Sequence, residues 1–306
     1  MSQYRLPDLL RYPEKAVIVA DNEMFIRALR ELGLEASYLG SLHRLPEQSL
    51  AFSFTPQGAR QLYLQAARTR YKQTLLCPLH AFDTRLENAL YSLMLLLRCD
   101  FCDCLERQQH YLAQLDGLRR VHLTSASSRG EVRLNDKCAP YALTREEIGD
   151  SFVLSVTELF EVHYAHMKPD SPDIFQVSGV LHVSGLLLSR ASRARPLPDG
   201  IRNDMRRLAE QVGHHDAWLR IEHNRVRSFK VAGEEYLALL DQAAGQRGLY
   251  LSEFAIGVND AIGPNINYSH NSPMNEGIKG VHVALGDGVN GYHIDFLCPG
   301  IDVLPG

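Results

Sequence analysis

Two imidazoles and two carboxylates in the last sixth of the chain stand where packing alone would not put them. VHVALG sets His282 between Val281 and Val283, and GYHIDF sets His293 and Asp295 two residues apart. In a strand that spacing turns both side chains to one face, while Tyr292, Ile294 and Phe296 take the other. SEFAIG adds Glu253 inside a third apolar run. Imidazole with carboxylate, converging from separate segments, is a donor set for zinc, manganese, cobalt or iron(II). A single histidine in an apolar strand is more often a hydrogen-bonded core residue. His293 with Asp295 could equally form an ordinary surface pair. The metal reading rests on four such residues in three adjacent segments joined by Gly- and Asn-rich turns.

The elements that must carry these donors follow from hydrophobic period. KAVIVAD, LEASYLG, SLAFSFT and TLLCPL read as strands. They alternate with helical patterns in NEMFIRALRELG, PQGARQLYLQAARTRYK and DTRLENALYSLMLLLRC. Strand and helix in alternation predict an α/β N-terminal domain, a parallel sheet covered by helices, over residues 1–115. It holds no GxGxxG or GxxxxGKS phosphate loop, so the sequence does not support a nucleotide site there. From Arg119 the texture changes to strands. RRVHLTSASSRGEVRLND reads as a hairpin, and SFVLSVTELFEVHY and DIFQVSGVLHVSGLLLS read as strand-like alternation. AWLRIEHNRVRSFKV is a further hairpin turning at His-Asn, and GEEYLALLDQAAGQRG is a helix. Residues 119–306 are therefore expected to form a β-rich α+β C-terminal domain.

Composition narrows the function classes. The chain has 306 residues, 45% hydrophobic and 22% charged, a balance that supports a real core. A net charge of −4 gives no general pull toward nucleic acid or anionic lipid. NALYSLMLLL is too short to span a bilayer, and the start has no apolar signal core, so a cytoplasmic protein without a membrane partner is expected. Six scattered cysteines do not make a disulfide scaffold. Cys99, Cys102 and Cys104 have a C-x2-C-x-C spacing, but no fourth thiolate lies near, and buried free cysteines are common.

The order of segments from Arg119 onward resembles the aminopeptidase T metallopeptidases and their relatives, the 2,5-dihydroxypyridine dioxygenases. The resemblance is specific in SEFAIGVN, NEGIKGVHVALGDG and GYHIDF. For the peptidases it implies a pair of divalent metals on Glu253, His282, His293 and Asp295. A further ligand, a glutamate in a GEVF-type segment, falls by spacing on Asp173 in PDIFQVSGVLHVSG. Asp173 and Asp295 would bridge the ions. The resemblance also implies a homodimer. Three departures stand out: Asp173 is a methylene shorter than glutamate, Val289 stands where the peptidases have a tyrosine, and the loop before His293 is much shorter. The dioxygenases hold one iron with two histidines and an aspartate. Retention of Glu253 and His282 favours the peptidase-like site.

Around this set lie weaker candidates. Glu276, in MNEG just before the middle strand, is the candidate general base, against a plain reading as a solvated loop carboxylate. In EVHYAH the alternation says strand, so His163 and His166 face opposite sides and the segment is not read as a metal motif. It leads directly into Asp173, which makes His163 and His166 candidates for lining a substrate pocket. His270 in NYSHNS is a third such candidate, against a polar loop histidine. SRASRAR is a basic patch without interleaved aromatics, read as a solvated face. The expected function is metal-dependent hydrolysis of an amide or peptide bond in a small molecule or short peptide, with zinc, cobalt or manganese. The rivals are a mononuclear Fe(II) oxygenase of a small aromatic or amino-acid-derived substrate, and a non-catalytic binding or assembly subunit.

Overall fold

The computed structural model describes residues 6–135, 139–165 and 174–306. Asp173 and His166 lie outside the described residues. The N-terminal part runs α1 (Asp8–Arg11), β1 (Val17–Ala20), α2 (Glu23–Glu31), β2 (Ala36–Tyr38), β3 (Gln48–Phe52), α3 (Pro56–Arg68), β4 (Gln73–Cys77), α4 (Leu86–Leu96) and α5 (Phe101–Leu115). Helix starts follow local capping chemistry: the Asn22 side chain accepts from Phe25 N, and Thr55 caps α3 at Gly58 N ahead of Pro56. DTRLENALYSLMLLLRC was expected as one helix. It ends instead at Leu96, and Asp100 caps a new helix at Asp103 N, so the three-cysteine spacing falls on the junction and first turn of α5.

The chain continues through β5 (Arg120–Thr124), β6 (Arg129–Leu134), β7 (Phe152–Ser155), β8 (Glu161–Ala165), β9 (Phe175–Val183), β10 (Gly185–Ser189) and α6 (Asp199–Val212). It closes with β11 (Ala217–Glu222), β12 (Arg225–Val231), β13 (Glu234–Glu235), α7 (Leu237–Ala244), β14 (Leu251–Gly257), β15 (Gly280–Leu285), β16 (His293–Pro299) and β17 (Asp302–Pro305). Among the described residues the strands form three sheets. The first is parallel in the order β2-β1-β3-β4-β7. The other two are antiparallel, β10-β16-β15-β14-β8 and β13-β12-β11-β9-β6-β5-β17. The fold is thus a helix-covered parallel sheet plus a β-rich part, the fold class the hydrophobic periods imply.

Two runs that read as continuous strand are divided between sheets. SFVLSVTELFEVHY gives β7 to the parallel sheet, turns through a short 3-10 segment at Thr157–Leu159, and gives β8 to the site sheet. Val156, Leu159 and Phe160 are buried in the N-terminal core at that turn, so the bend is held by apolar packing. DIFQVSGVLHVSGLLLS changes sheet at Ser184, with β9 in the seven-stranded sheet and β10 in the site sheet. Those two sheets bury a common core. Phe254, Ile256, Val281, Val283, Ile294 and Phe296 from one meet Val177, Leu181, Leu219 and Phe229 from the other. This leaves the opposite face of the site sheet free for polar side chains. No helix among the described residues is long and apolar enough to cross a membrane.

Candidate metal centre

Register decides which side chains share the polar face of the site sheet. Ala255 of β14 pairs with His163 on one side and His282 on the other. One step along, Glu253 pairs with Ala165 and Ala284, and Ala284 pairs with Asp295. Directly paired residues face the same way. His163, His282, Glu253 and Asp295 therefore lie on one face, with alanines between them that keep the surface recessed. Period-two spacing adds Glu161 on β8 and His293 on β16. The sheet brings Glu253, His282, His293 and Asp295 together, and Glu161 and His163 join them.

The contacts are close. His282 Nε2 lies 3.3 Å from Glu161 Oε2 and 3.7 Å from Glu253 Oε1. His293 Nε2 lies 3.5 Å from Glu253 Oε2 and 3.0 Å from Asp295 Oδ1. His163 Nδ1 is 3.2 Å from Glu161 Oε1. Glu161, His163 and Glu253 form one triad whose donor atoms all lie within 4.8 Å of one another, and Glu161, Glu276 and His282 form another. The His282 and Asp295 side chains are each only 1% exposed. Yet Glu161 Oε2, His282 Nε2 and both oxygens of Asp295 have no hydrogen-bond partner. They reach ion-pair distance without the alignment of a hydrogen bond. Buried polar atoms are nearly always satisfied, so four orphans converging in one place fit a divalent cation, for which these are the correct donor types.

Backbone features aim the donors. His293 Nδ1 approaches the carbonyl of Gly286 at 3.3 Å, which turns Nε2 toward the carboxylates. Gly286 sits at φ +76° in the short β15–β16 connection, where an added Cβ would come to 2.0 Å from Tyr292 O. The segment before β15 presses onto β14: a Cβ on Gly257 would meet Ile278 O at 2.1 Å, and Asn259 N donates to Gly277 O. This close approach delivers Glu276 to the cluster.

Electrostatics follow from crowding. Burial alone would lower the pKa of His293, but the close Asp295 carboxylate, with Glu253 and Glu276 nearby, pushes it up to about 10. His282 is likewise raised well above the ordinary value, because Glu161 and Glu253 outweigh its desolvation. Burial would raise Glu161, yet His163 and His282 hold it below the usual carboxylate range. Glu276 is raised well above that range by burial first, then by the charges of Glu161 and Asp295. Protons on His282, His293 and Glu276 thus offset the crowding of carboxylates in the cluster.

The strand alternation of EVHYAH sets His163 and His166 on opposite faces, which hides Glu161 as a ligand in the sequence. The informative pair was Glu161 with His163, two apart and so on one face, the same spacing that marked His293 and Asp295. His270, a candidate for the pocket, stacks its ring on Tyr91 with the centroids 4.3 Å apart, and its carbonyl accepts from Asn275 Nδ2. Of the three cysteines, Cys99 contacts Leu95 O and Asn259 Nδ2, Cys104 is buried and Cys102 is exposed.

Residues 13–305 match the family described as crocagin biosynthetic protein CgnE/B. The chain belongs to that family. No curated protein matches the sequence of this CgnE/B family member. Among solved structures it is similar to wild-type AmpT from Thermus thermophilus, at 14% identity and a TM-score of 0.46, over 96% of this chain and 91% of that one. It is also similar to the 2,5-dihydroxypyridine dioxygenase of Pseudomonas putida KT2440, at 13% identity and a TM-score of 0.47, over 97% and 90% of the two chains. At such values neither likeness reaches the chemistry of the site, which stands on the geometry above.

Proposed function

We propose that this CgnE/B family member is a metal-dependent enzyme that hydrolyses an amide bond in a small molecule or short peptide. The observation that carries the reading is the buried, carboxylate-rich cluster with orphaned atoms on Glu161, His282 and Asp295. The number of donors argues for two ions. A mononuclear facial triad uses two histidines and one carboxylate. Here Glu161, Glu253 and Asp295 are all buried with His282 in one cluster that His293 joins, which is more donors than one such triad takes up.

The residues that would hold the ions are Glu161, Glu253, His282, His293 and Asp295, with Glu161 common to both close triads. A bound divalent ion supplies a water of near-neutral pKa and polarises a carbonyl. Glu276 is placed to take up and return a proton, since its carboxyl is enclosed beside the cluster and contributes to one triad. His163 is the most open of the imidazoles, its side chain 24% exposed, and its ring lies 5.3 Å from that of Tyr141. It is placed to orient a substrate entering from that side.

Elemental analysis of protein purified without chelators, paired with hydrolysis assays on short amides and peptides, tests the proposal. About two zinc, cobalt or manganese ions per chain and metal-dependent cleavage are expected. One iron with substrate-dependent oxygen consumption would replace the hydrolase with an oxygenase. Metal-free protein that takes up no ion on reconstitution would leave a binding or assembly subunit.

A further inference from the structure

A cleft of about 730 Å³, with no cluster donor in its lining, lies between the parallel sheet and the β10–α6 region. One wall is the carboxyl edge of the parallel sheet, where Pro56 and His80 follow β3 and β4. Ligands of open α/β sheets bind at that edge, outside the carboxyl ends of the strands. The other wall carries Arg190, Arg202 and Arg206, and Arg85 stands at the rim. These guanidiniums answer only two lining carboxylates, Asp83 and Glu210. Arg85 is already paired with Asp83 and Glu87, and Arg202 with Asp199. Among the described residues neither Arg190 nor Arg206 has a carboxylate within ion-pair distance. Arg190 Nη2 donates to Arg195 O, which leaves its buried Nε with no hydrogen-bond partner.

The remaining lining is suited to an organic body. Leu186, Leu188, Tyr268 and Tyr292 supply apolar and aromatic surface. The Arg190 guanidinium lies 5.5 Å from the Tyr292 ring centroid, and so stands beside that surface. On the facing wall, His80 Nδ1 is bonded at 2.8 Å to Ser53 Oγ, itself buried, and His80 N donates to Ser53 O. That double anchorage fixes the imidazole in the cleft wall.

We infer that this cleft is a second binding site, for a small dianion with an aromatic or apolar body, its charge held by Arg190 and Arg206 and its body lying against Tyr268 and Tyr292. Two guanidiniums without a carboxylate partner match two negative charges, and the planar fork binds phosphate or carboxylate bidentately. A phosphomonoester, at about −1.5 to −2 near neutral pH, and an aromatic dicarboxylate share this chemistry. The SRASRAR patch, read from sequence as a solvated face, is here the flank of a cleft, because Arg190 directly follows β10 and is brought over Tyr292. The site is independent of the metal reading, since none of its lining residues is a cluster donor.

Calorimetric titration of the intact protein with phenyl phosphate, phthalate and neutral benzyl alcohol tests the inference. At least one dianion is expected to bind saturably and benzyl alcohol more weakly. Arg206→Ala and Arg190→Ala should each weaken the dianion about tenfold or more. His293→Ala should leave it unchanged, which separates this site from the metal cluster. The tighter dianion names the source. Arg206 is exposed, so its variant is expected to fold, and a circular dichroism spectrum matching the parent checks this. No saturable binding of either dianion below about 10 mM overturns the assignment. So does binding indifferent to both arginine changes, or binding lost only with His293.

Discussion

Glu161 and His282 come within 3.3 Å of each other from β8 and β15, the two strands that flank β14. Neither atom in that approach is hydrogen bonded, although both are buried. In the reading proposed above, this carboxylate and imidazole, both without an aligned partner, are arranged around a third body.

Replacing His293 tests whether that body is a cation. His293→Ala should lower metal affinity by roughly 100-fold or more, above the 10–100-fold typical of losing only an outer-shell partner. The far-ultraviolet circular dichroism should remain that of the parent. Unchanged metal stoichiometry in the variant would remove His293 from the centre.

Glu161→Gln separates two carboxylate assignments. It keeps the shape of the side chain but removes the charge that both close triads share. Metal content should fall by at least one ion per chain, measured beside Asp173→Asn. Full metal content in Glu161→Gln with loss in Asp173→Asn would return the assignment to the position first read from spacing.

The pH dependence has a definite sign. In the metal-free protein His293 is raised from 6.5 to about 10, so its stabilising contribution is complete below about pH 6.5 and is lost as pH rises toward 10. His282 and Glu276, both raised, act in the same direction. Glu161, held low, contributes stability that is lost only as pH falls through its own lowered range. Cations compete with the imidazole protons, so metal affinity should increase from pH 6 to pH 8.5. The rise in Tm on adding zinc or manganese should be larger at the higher pH, as differential scanning fluorimetry can show. An equal shift at both pH values would mean that no imidazole proton is displaced.

Gly257→Ala probes the packing that delivers Glu276. The new methyl meets Ile278 O at 2.1 Å, so the segment before β15 must move. A loss of about 1–3 kcal/mol in urea unfolding is expected from the overpacking. Hydrolysis should fall further than metal content, because Glu276 is displaced while the strand donors stay. Parent-like turnover would show that Glu276 is not the proton carrier.

Much of this was legible in the chain itself. Period-two spacing alone put His293 and Asp295 on one face, and apolar runs around Glu253 and His282 marked them as out of place. Alternating strand and helix patterns gave the N-terminal parallel sheet, and the His-Asn step marked a real turn, with His223 and Asn224 both at positive φ. Local rules sufficed because each of these signals lies within a few residues. What they could not supply was pairing between distant segments. Glu161 entered the cluster only because β8 pairs with β14 in the register that sets His163 opposite Ala255. His270 meets the ring of Tyr91, a residue far away in sequence. The basic segment at 189–195 became a cleft wall only because β10 faces the edge of the parallel sheet. Periodicity fixes which way a side chain points from its own backbone, whereas register and domain packing fix what it meets. Those depend on apolar surfaces fitting across the whole chain.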